Sequence, residues 1–214
     1  MLLLISSLLL MSCGADKYMK KGEKFLALGE YYDAADQFKQ AYTRTPAKER
    51  DTRGKRALKM AQCYQRINAT PKAIAAYRNA IRYNQASKED QLAYARQLLK
   101  NGDYRQAEKV FLMLKDSMPG NQLVANGLKS AQMAPEWKKQ GSRYIVKRMD
   151  VFNSRRHDYS PVLFGDDYDQ LYFTSTRNEA LGDELSGITG TKAGDIFLSE
   201  KDDRGKWSKP EAIG

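Results

Sequence analysis

The chain has 214 residues, 42% hydrophobic and 29% charged, a globular composition without a low-complexity tract, so disorder is not the expected state. Its formal charge of +10 is unevenly spread: residues 17–150 carry 28 Lys/Arg against 13 Asp/Glu, and residues 151–214 carry 8 against 12. That asymmetry implies two modules, the first with a basic surface. Two cysteines are too few for a disulfide framework, and a single histidine excludes a His-rich metal site.

Met1 to Met11 is nearly continuous apolar sequence, interrupted only by Ser6 and Ser7. A bilayer-spanning helix needs about 20 residues, so this run is too short to span but fits the apolar core of a secretory signal. It ends in Leu10-Met11-Ser12-Cys13-Gly14, which resembles the bacterial lipobox. The resemblance implies a signal peptide over 1–12, lipidation of Cys13 with acyl chains such as palmitate, and a lipidated N-terminus over 13–16. Several acyl chains would anchor a protein firmly, since each buried methylene contributes about 0.8 kcal/mol.

Three stretches in the next part share one spacing. Gly102, Tyr104, Ala107, Phe111 and Pro119 repeat the offsets of Gly29, Tyr31, Ala34, Phe38 and Pro46. Asn68, Thr70, Ala73, Tyr77 and Ala80 form a weaker copy. The period from Ala73 to Ala107 is 34 residues; from Ala34 to Ala73 it is 39, with the extra five expected around Pro46–Thr52. A period near 34 built on helix-turn-helix units is the signature of a tetratricopeptide (TPR) array. The array is assigned to residues 17–134. Thr70 is expected as an N-cap with Pro71 at the first helical position, and Ser87-Lys88-Glu89-Asp90 opens a helix. A capping helix over Gln122–Met133 is expected to end at Pro135, leaving 135–142 as a linker.

In such an array the first helix of each pair lines a concave groove. Lys17, Tyr18, Lys21, Lys24, Arg56, Lys59 and Tyr64 are the candidate partner-binding residues, with Lys20 and Arg66 as further cations of the same helices, and an acidic peptide segment is the natural ligand for them. Cys63 lies among apolar helix positions and reads as a small buried hydrophobe. No nucleic-acid recognition motif accompanies the high charge, so nucleic acid is not the expected partner.

Past Glu136 the pattern becomes strand-like. Tyr144–Val146 and Met149–Phe152 read as extended, and Asn178–Ala193 as a long loop. Ser160-Pro161, Leu171-Tyr172-Phe173-Thr174-Ser175-Thr176-Arg177, Gly194-Asp195-Ile196-Phe197 and Gly205-Lys206-Trp207-Ser208-Lys209-Pro210 follow in order. That order resembles one blade of a TolB-like, WD-repeat-type antiparallel β-propeller, assigned to 143–214. One blade cannot close a ring, so a propeller truncated within its length is expected. The expected fold is thus α + β and multi-module, an all-α TPR superhelix followed by a single blade.

The combination is similar to the Bacteroidetes outer-membrane-associated lipoproteins, PorE-like and linked to type IX secretion, in which TPR, TolB-like propeller and OmpA-like parts follow one another. The OmpA-like part is not present in this sequence, so the resemblance gives no residue here a role in peptidoglycan binding. It implies a lipid-anchored scaffold at the periplasmic side of the outer membrane that assembles protein partners. The alternative is a propeller binding a cell-wall or periplasmic ligand, with the TPR part as a spacer. Neither reading is enzymatic, and neither needs a cofactor or metal. His157 lies in a polar connection, and Asp166, Asp167 and Asp169 lack the glycine and distal glutamate of an EF-hand loop.

Overall fold

The computed structural model describes residues 2–213, with side chains from Gly14 to Ile213, so the lipobox and the Cys13 thiol lie outside the described side chains. Two compact units divide the chain at 141/142, Met1–Gly141 and Ser142–Gly214.

Among the described residues the first unit has seven helices: α1 Leu2–Ala27, α2 Tyr31–Arg44, α3 Arg50–Arg66, α4 Thr70–Arg82, α5 Lys88–Lys100, α6 Tyr104–Ser117 and α7 Gln122–Gln140. They pack as sequential antiparallel neighbours. Ala34, Phe38 and Ala41 on α2, Ala73, Tyr77 and Ala80 on α4, and Ala107, Phe111 and Leu114 on α6 are all buried. Positions i, i+4 and i+7 share one helix face, so each second helix turns an alanine, an aromatic ring and a further apolar residue inward, alanine on α2 and α4 and leucine on α6. The aromatic fills the space that a missing side chain leaves open. A Cβ on Gly22 would stand 2.6 Å from the Phe38 ring, and Gly127 of α7 lies just as close against Phe111.

The turns within the pairs repeat as well. Gly29, Asn68 and Gly102 have φ of 77°, 57° and 82°. Each is followed by an amide that bonds back across the helix end: Glu30 to Phe25, Ala69 to Tyr64 and Asp103 to Leu98, all at 2.9 Å. This is a left-handed helix stop, in which asparagine substitutes for glycine at modest cost.

Three details depart from expectation. The five extra residues do not lengthen a loop: the connections 45–49 and 83–87 are equally long, while α3 has 17 residues against 13 in α5 and α2 has 14 against 13 in α4. An added turn of helix costs less than an open loop because its amides are bonded within it. Ala69, not Thr70, precedes α4, and Thr70 is itself the first helical residue without a capping bond. By contrast, Ser87 and Asp90 form a full capping box at α5. Finally, α7 runs through Pro135 to Gln140. A proline near a helix end removes one backbone bond, which the exposed polar turn beyond it tolerates.

The second unit is a four-stranded antiparallel sheet in the order β1-β2-β3-β4, with β1 Asp158–Phe164, β2 Gln170–Ser175, β3 Asp195–Glu200 and β4 Glu211–Ala212. Alternation along β2 and β3 sends Leu171, Phe173 and Phe197 to one side, where Phe152, Ala180 and Trp207 cover them. The register slips between Tyr159 and Val162, where Ser160 has φ 53° and Pro161 has no amide hydrogen to give the ladder. Tyr144–Val146 and Met149–Phe152 are not strands. Tyr144, Ile145 and Val146 are more than 80% exposed, and the amides of Phe152 and Asn153 bond back to Met149 in a tight turn. The 178–193 loop is tied down, with Ala180 in the core and Lys192 Nζ donating to the carbonyls of Asn178 and Ala180.

One polar network locks this sheet. Arg177, sandwiched against Phe173 and Phe197, donates to Asp158 Oδ1 at 2.8 Å and to the Phe152 carbonyl at 2.5 Å. Asp158 also accepts from the Ser175 hydroxyl at 2.6 Å and from the Ser154 amide at 2.7 Å. Burial works against its charge, but the bonds from Ser175, Arg177 and Ser154 prevail and hold its carboxyl below the usual range.

Two predictions follow from the packing. Phe38→Ala lowers the unfolding free energy of the helical unit by about 3–5 kcal/mol, read from denaturant unfolding followed by circular dichroism. For Asp158, a lowered folded-state pKa contributes stability that is fully present above the unfolded value of about 3.9 and is lost as pH falls from there through the lower folded-state pKa. Aromatic fluorescence of the β unit should therefore report a loss of stability on acidification below about pH 4 that Asp158→Asn does not show.

Candidate functional site

The helices α1, α3 and α5 present one stripe each to solvent. At about 100° per residue, Lys55, Lys59, Gln62 and Arg66 fall within a narrow arc of α3, as do Glu89, Ala93, Arg96 and Lys100 on α5. Lys20, Lys24 and Ala27 do the same on α1. All of these side chains are exposed or half-buried. The stripes lie side by side because side chains bridge them: Lys59 Nζ reaches Glu23 at 3.2 Å, and Gln62 Nε2 donates to Asp90 at 3.1 Å. Between them a cleft of about 410 Å³ is lined by Leu26 and Tyr31 from the first pair, Gln62 and Arg66 from α3, and Glu89 and Asp90 from α5.

The seven residues expected to form the groove separate into two groups. Lys17, Lys21 and Lys24 are exposed on α1, and Lys59 is partly exposed beside Glu23. The other three face inward or are spent on packing. Arg56 is 6% exposed: its guanidinium donates to Asp16 Oδ1 at 2.5 Å, to the Ala41 carbonyl at 3.3 Å and to the Thr45 hydroxyl. It closes the end of α2 and is not available to a ligand. Tyr64 is buried in the helical core with Lys72 over its ring, and Tyr18 lies under the Arg44 guanidinium at 4.4 Å. The reason is angular. Arg56 and Tyr64 lie away from the Lys55–Lys59–Arg66 line, on sides of α3 covered by its neighbours.

Lys20 and Arg66, also basic positions of these helices, join Lys55, Arg96 and Lys100 as the remaining cations of this face. A four-residue step back from Lys59 would have found Lys55; the α5 pair requires knowing which helices lie alongside. The face is basic but not uniformly so, because Glu23, Glu89 and Asp90 interrupt it.

Cys63 beneath the cleft is 1% exposed, and burial pushes its thiol up to about 11. A protonated, enclosed thiol is a packing group, not a nucleophile. Among the described residues no cluster of three His, Cys, Asp or Glu is placed to hold a metal ion, and no helix is long and apolar enough to cross a membrane.

Arg56→Ala should lower stability by about 2 kcal/mol, because the Thr45 and Ala41 acceptors lose a charged donor inside the array. Lys55→Ala should change it by less than about 0.5 kcal/mol. Urea unfolding of the two variants checks the division of roles.

No family model matches the chain, and no curated protein matches it. Solved structures do. The C-terminal TPR-containing domain of a Plasmodium falciparum protein described as FK506-binding is 15% identical, covers 61% of this chain and 94% of its own, and superposes with a TM-score of 0.50. The first TPR of Spaghetti (RPAP3), solved with an HSP90 peptide SRMEEVD, is 18% identical over 58% of this chain and 95% of its own, TM-score 0.47. The Sgt2 TPR domain from Aspergillus fumigatus is 19% identical over 64% and 88%, TM-score 0.45. At these identities the likeness is one of fold. The helical unit is a TPR-like all-α superhelix, and a small four-stranded antiparallel sheet accompanies it.

Proposed function

We propose that the chain is a binding scaffold of the bacterial cell envelope, held to the membrane by acyl chains on Cys13 and docking protein partners on the α1–α3–α5 face. The observation that carries the docking part is the alignment of Lys20, Lys24, Lys55, Lys59, Arg66, Arg96 and Lys100 on three adjacent stripes. Extended acidic segments suit such a surface, since each carboxylate finds a cation without needing a deep pocket. The Lys59–Glu23 and Gln62–Asp90 bridges stiffen the face before a partner arrives, which lowers the ordering cost of binding. Binding, not catalysis, is the activity.

Membrane attachment rests on Leu10–Cys13 and its likeness to the lipobox. The β unit is read as one blade of a TolB-like propeller. Its four-strand meander, and the apolar Phe164 and Ile196 exposed on it, support that reading. With the TPR-like unit these features favour an outer-membrane lipoprotein facing the periplasm, of the kind associated with type IX secretion.

The test has two arms. Fractionation with palmitate labelling should find the wild-type chain acylated and membrane-bound, and Cys13→Ser unlabelled and released; a labelled Cys13→Ser chain would sink the anchor. Polyglutamate binding should weaken about tenfold in Lys55→Glu/Arg96→Glu, the loss of one or two charged contacts. Unchanged affinity in that variant would remove the docking face from consideration.

A further inference from the structure

The cations of α1 reach beyond the docking face, with which they share only Lys20 and Lys24. With Asp16 as the origin, Lys17, Lys20, Lys21 and Lys24 occupy an arc of about 100° on the helix. Tyr18, Gly22 and Phe25 on another side pack toward α2, Gly22 directly against Phe38. Asp16 and Glu23 turn toward α3, where they bond Arg56 and Lys59. The middle of the lysine arc therefore points away from the rest of the array. Lys20 and Lys24 lie at its inner margin, next to the α3 stripe, whereas Lys17 and Lys21 lie at its outer margin. A segment laid across α3 and α5 does not reach that outer margin. Together the four line a shallow cleft of about 530 Å³, which Asp16 borders with its carboxylate already bonded to Arg56.

We infer that this lysine face lies on an anionic phospholipid surface, as a second membrane contact beside the acyl anchor. The inference rests on the lipoprotein reading for its location. Lys17 and Lys24 follow Cys13 by four and eleven residues in one continuous helix, about 6 and 16 Å along its axis. An anchored Cys13 keeps both near the headgroups, and a helix lying along the surface on its free side brings all four ammonium groups to it. The electrostatic reach at physiological salt is about 8 Å, so only a helix lying flat engages the whole arc. Each lysine at an anionic surface is worth about fivefold in partitioning. The α3 and α5 stripes then remain accessible, because the arc is centred on the side of α1 that points away from them and only Lys20 and Lys24 are shared.

Sedimentation of the full chain bearing Cys13→Ser with two kinds of vesicle tests this. One is phosphatidylcholine alone, the other is enriched in phosphatidylglycerol. The comparison cancels any affinity of the apolar leader for lipid, since both vesicles offer it the same hydrocarbon. The expected result is at least tenfold tighter binding to the anionic vesicles at low salt, lost at high salt. Adding Lys17→Glu/Lys21→Glu abolishes the preference, while adding Lys55→Glu/Arg96→Glu preserves it. Equal binding to both vesicles overturns the inference, as does a preference that survives Lys17→Glu/Lys21→Glu. A chain that ignores vesicle charge but binds polyglutamate through Lys17 and Lys21 overturns it in favour of a protein partner. Palmitate labelling of Cys13 reads the anchor separately, so either can fail without the other.

Discussion

The helical unit depends on a single recurring contact, an aromatic ring set into a space where the facing helix offers little or no side chain. Phe38 against Gly22 and Phe111 against Gly127 are its clearest instances, and Tyr77 holds the matching position on α4. Each ring excludes water from the gap between neighbouring helices, and burial of a side chain that size contributes about 3 kcal/mol. The surrounding alanines let the backbones approach closely enough for the ring to be gripped from both sides. With that contact repeated, the first helices of successive pairs must lie side by side.

The chemistry of the surface is a consequence of that order. Lys55, Lys59 and Arg66 on α3 and Arg96 and Lys100 on α5 become neighbours only because the rings hold the pairs in register. The acids among them do structural work: Glu23 ties α1 to α3, and Asp90 both caps α5 and accepts from Gln62. Much of the surplus positive charge thus stays on the solvent-facing side, while the negative charge is used to brace the surface. The β unit uses its polar groups in the opposite way. There Arg177 and Asp158 are enclosed among Phe173, Phe197 and two serines, so their bonds set the sheet's shape and are closed to ligands. Breaking one partner of such an enclosed pair costs more than the pair itself contributes, which is why it secures a particular arrangement.

The fourth strand forms at Glu211–Ala212, just past the Gly205–Pro210 run, but the repeat spacing with Gly29 and Gly102 at its turns, the helix start at Ser87 and the segments that form β1, β2 and β3 were legible from residue order. They depend on local backbone preferences and on side chains three to seven residues apart, which a linear pattern records directly. The asparagine stop at Asn68 was legible only as a spacing, because its residue type does not require a positive φ. The end of α7 was misjudged because Pro135 forbids one bond, not the helix. Tyr144–Val146 looked extended from composition, but a strand needs a partner edge, and composition cannot supply one.

The site divides along the same line. Sequence alone determined that a basic TPR-like array comes first and a small sheet follows, because period and charge are properties of the chain itself. Only the tertiary structure decided which cations face outward. Arg56 and Lys59 are three residues apart and chemically alike in charge, yet one is enclosed by Asp16, Ala41 and Thr45 and the other stands at the surface beside Glu23. What separates them is about 60° of helix rotation, and its meaning depends on what packs against each side of α3.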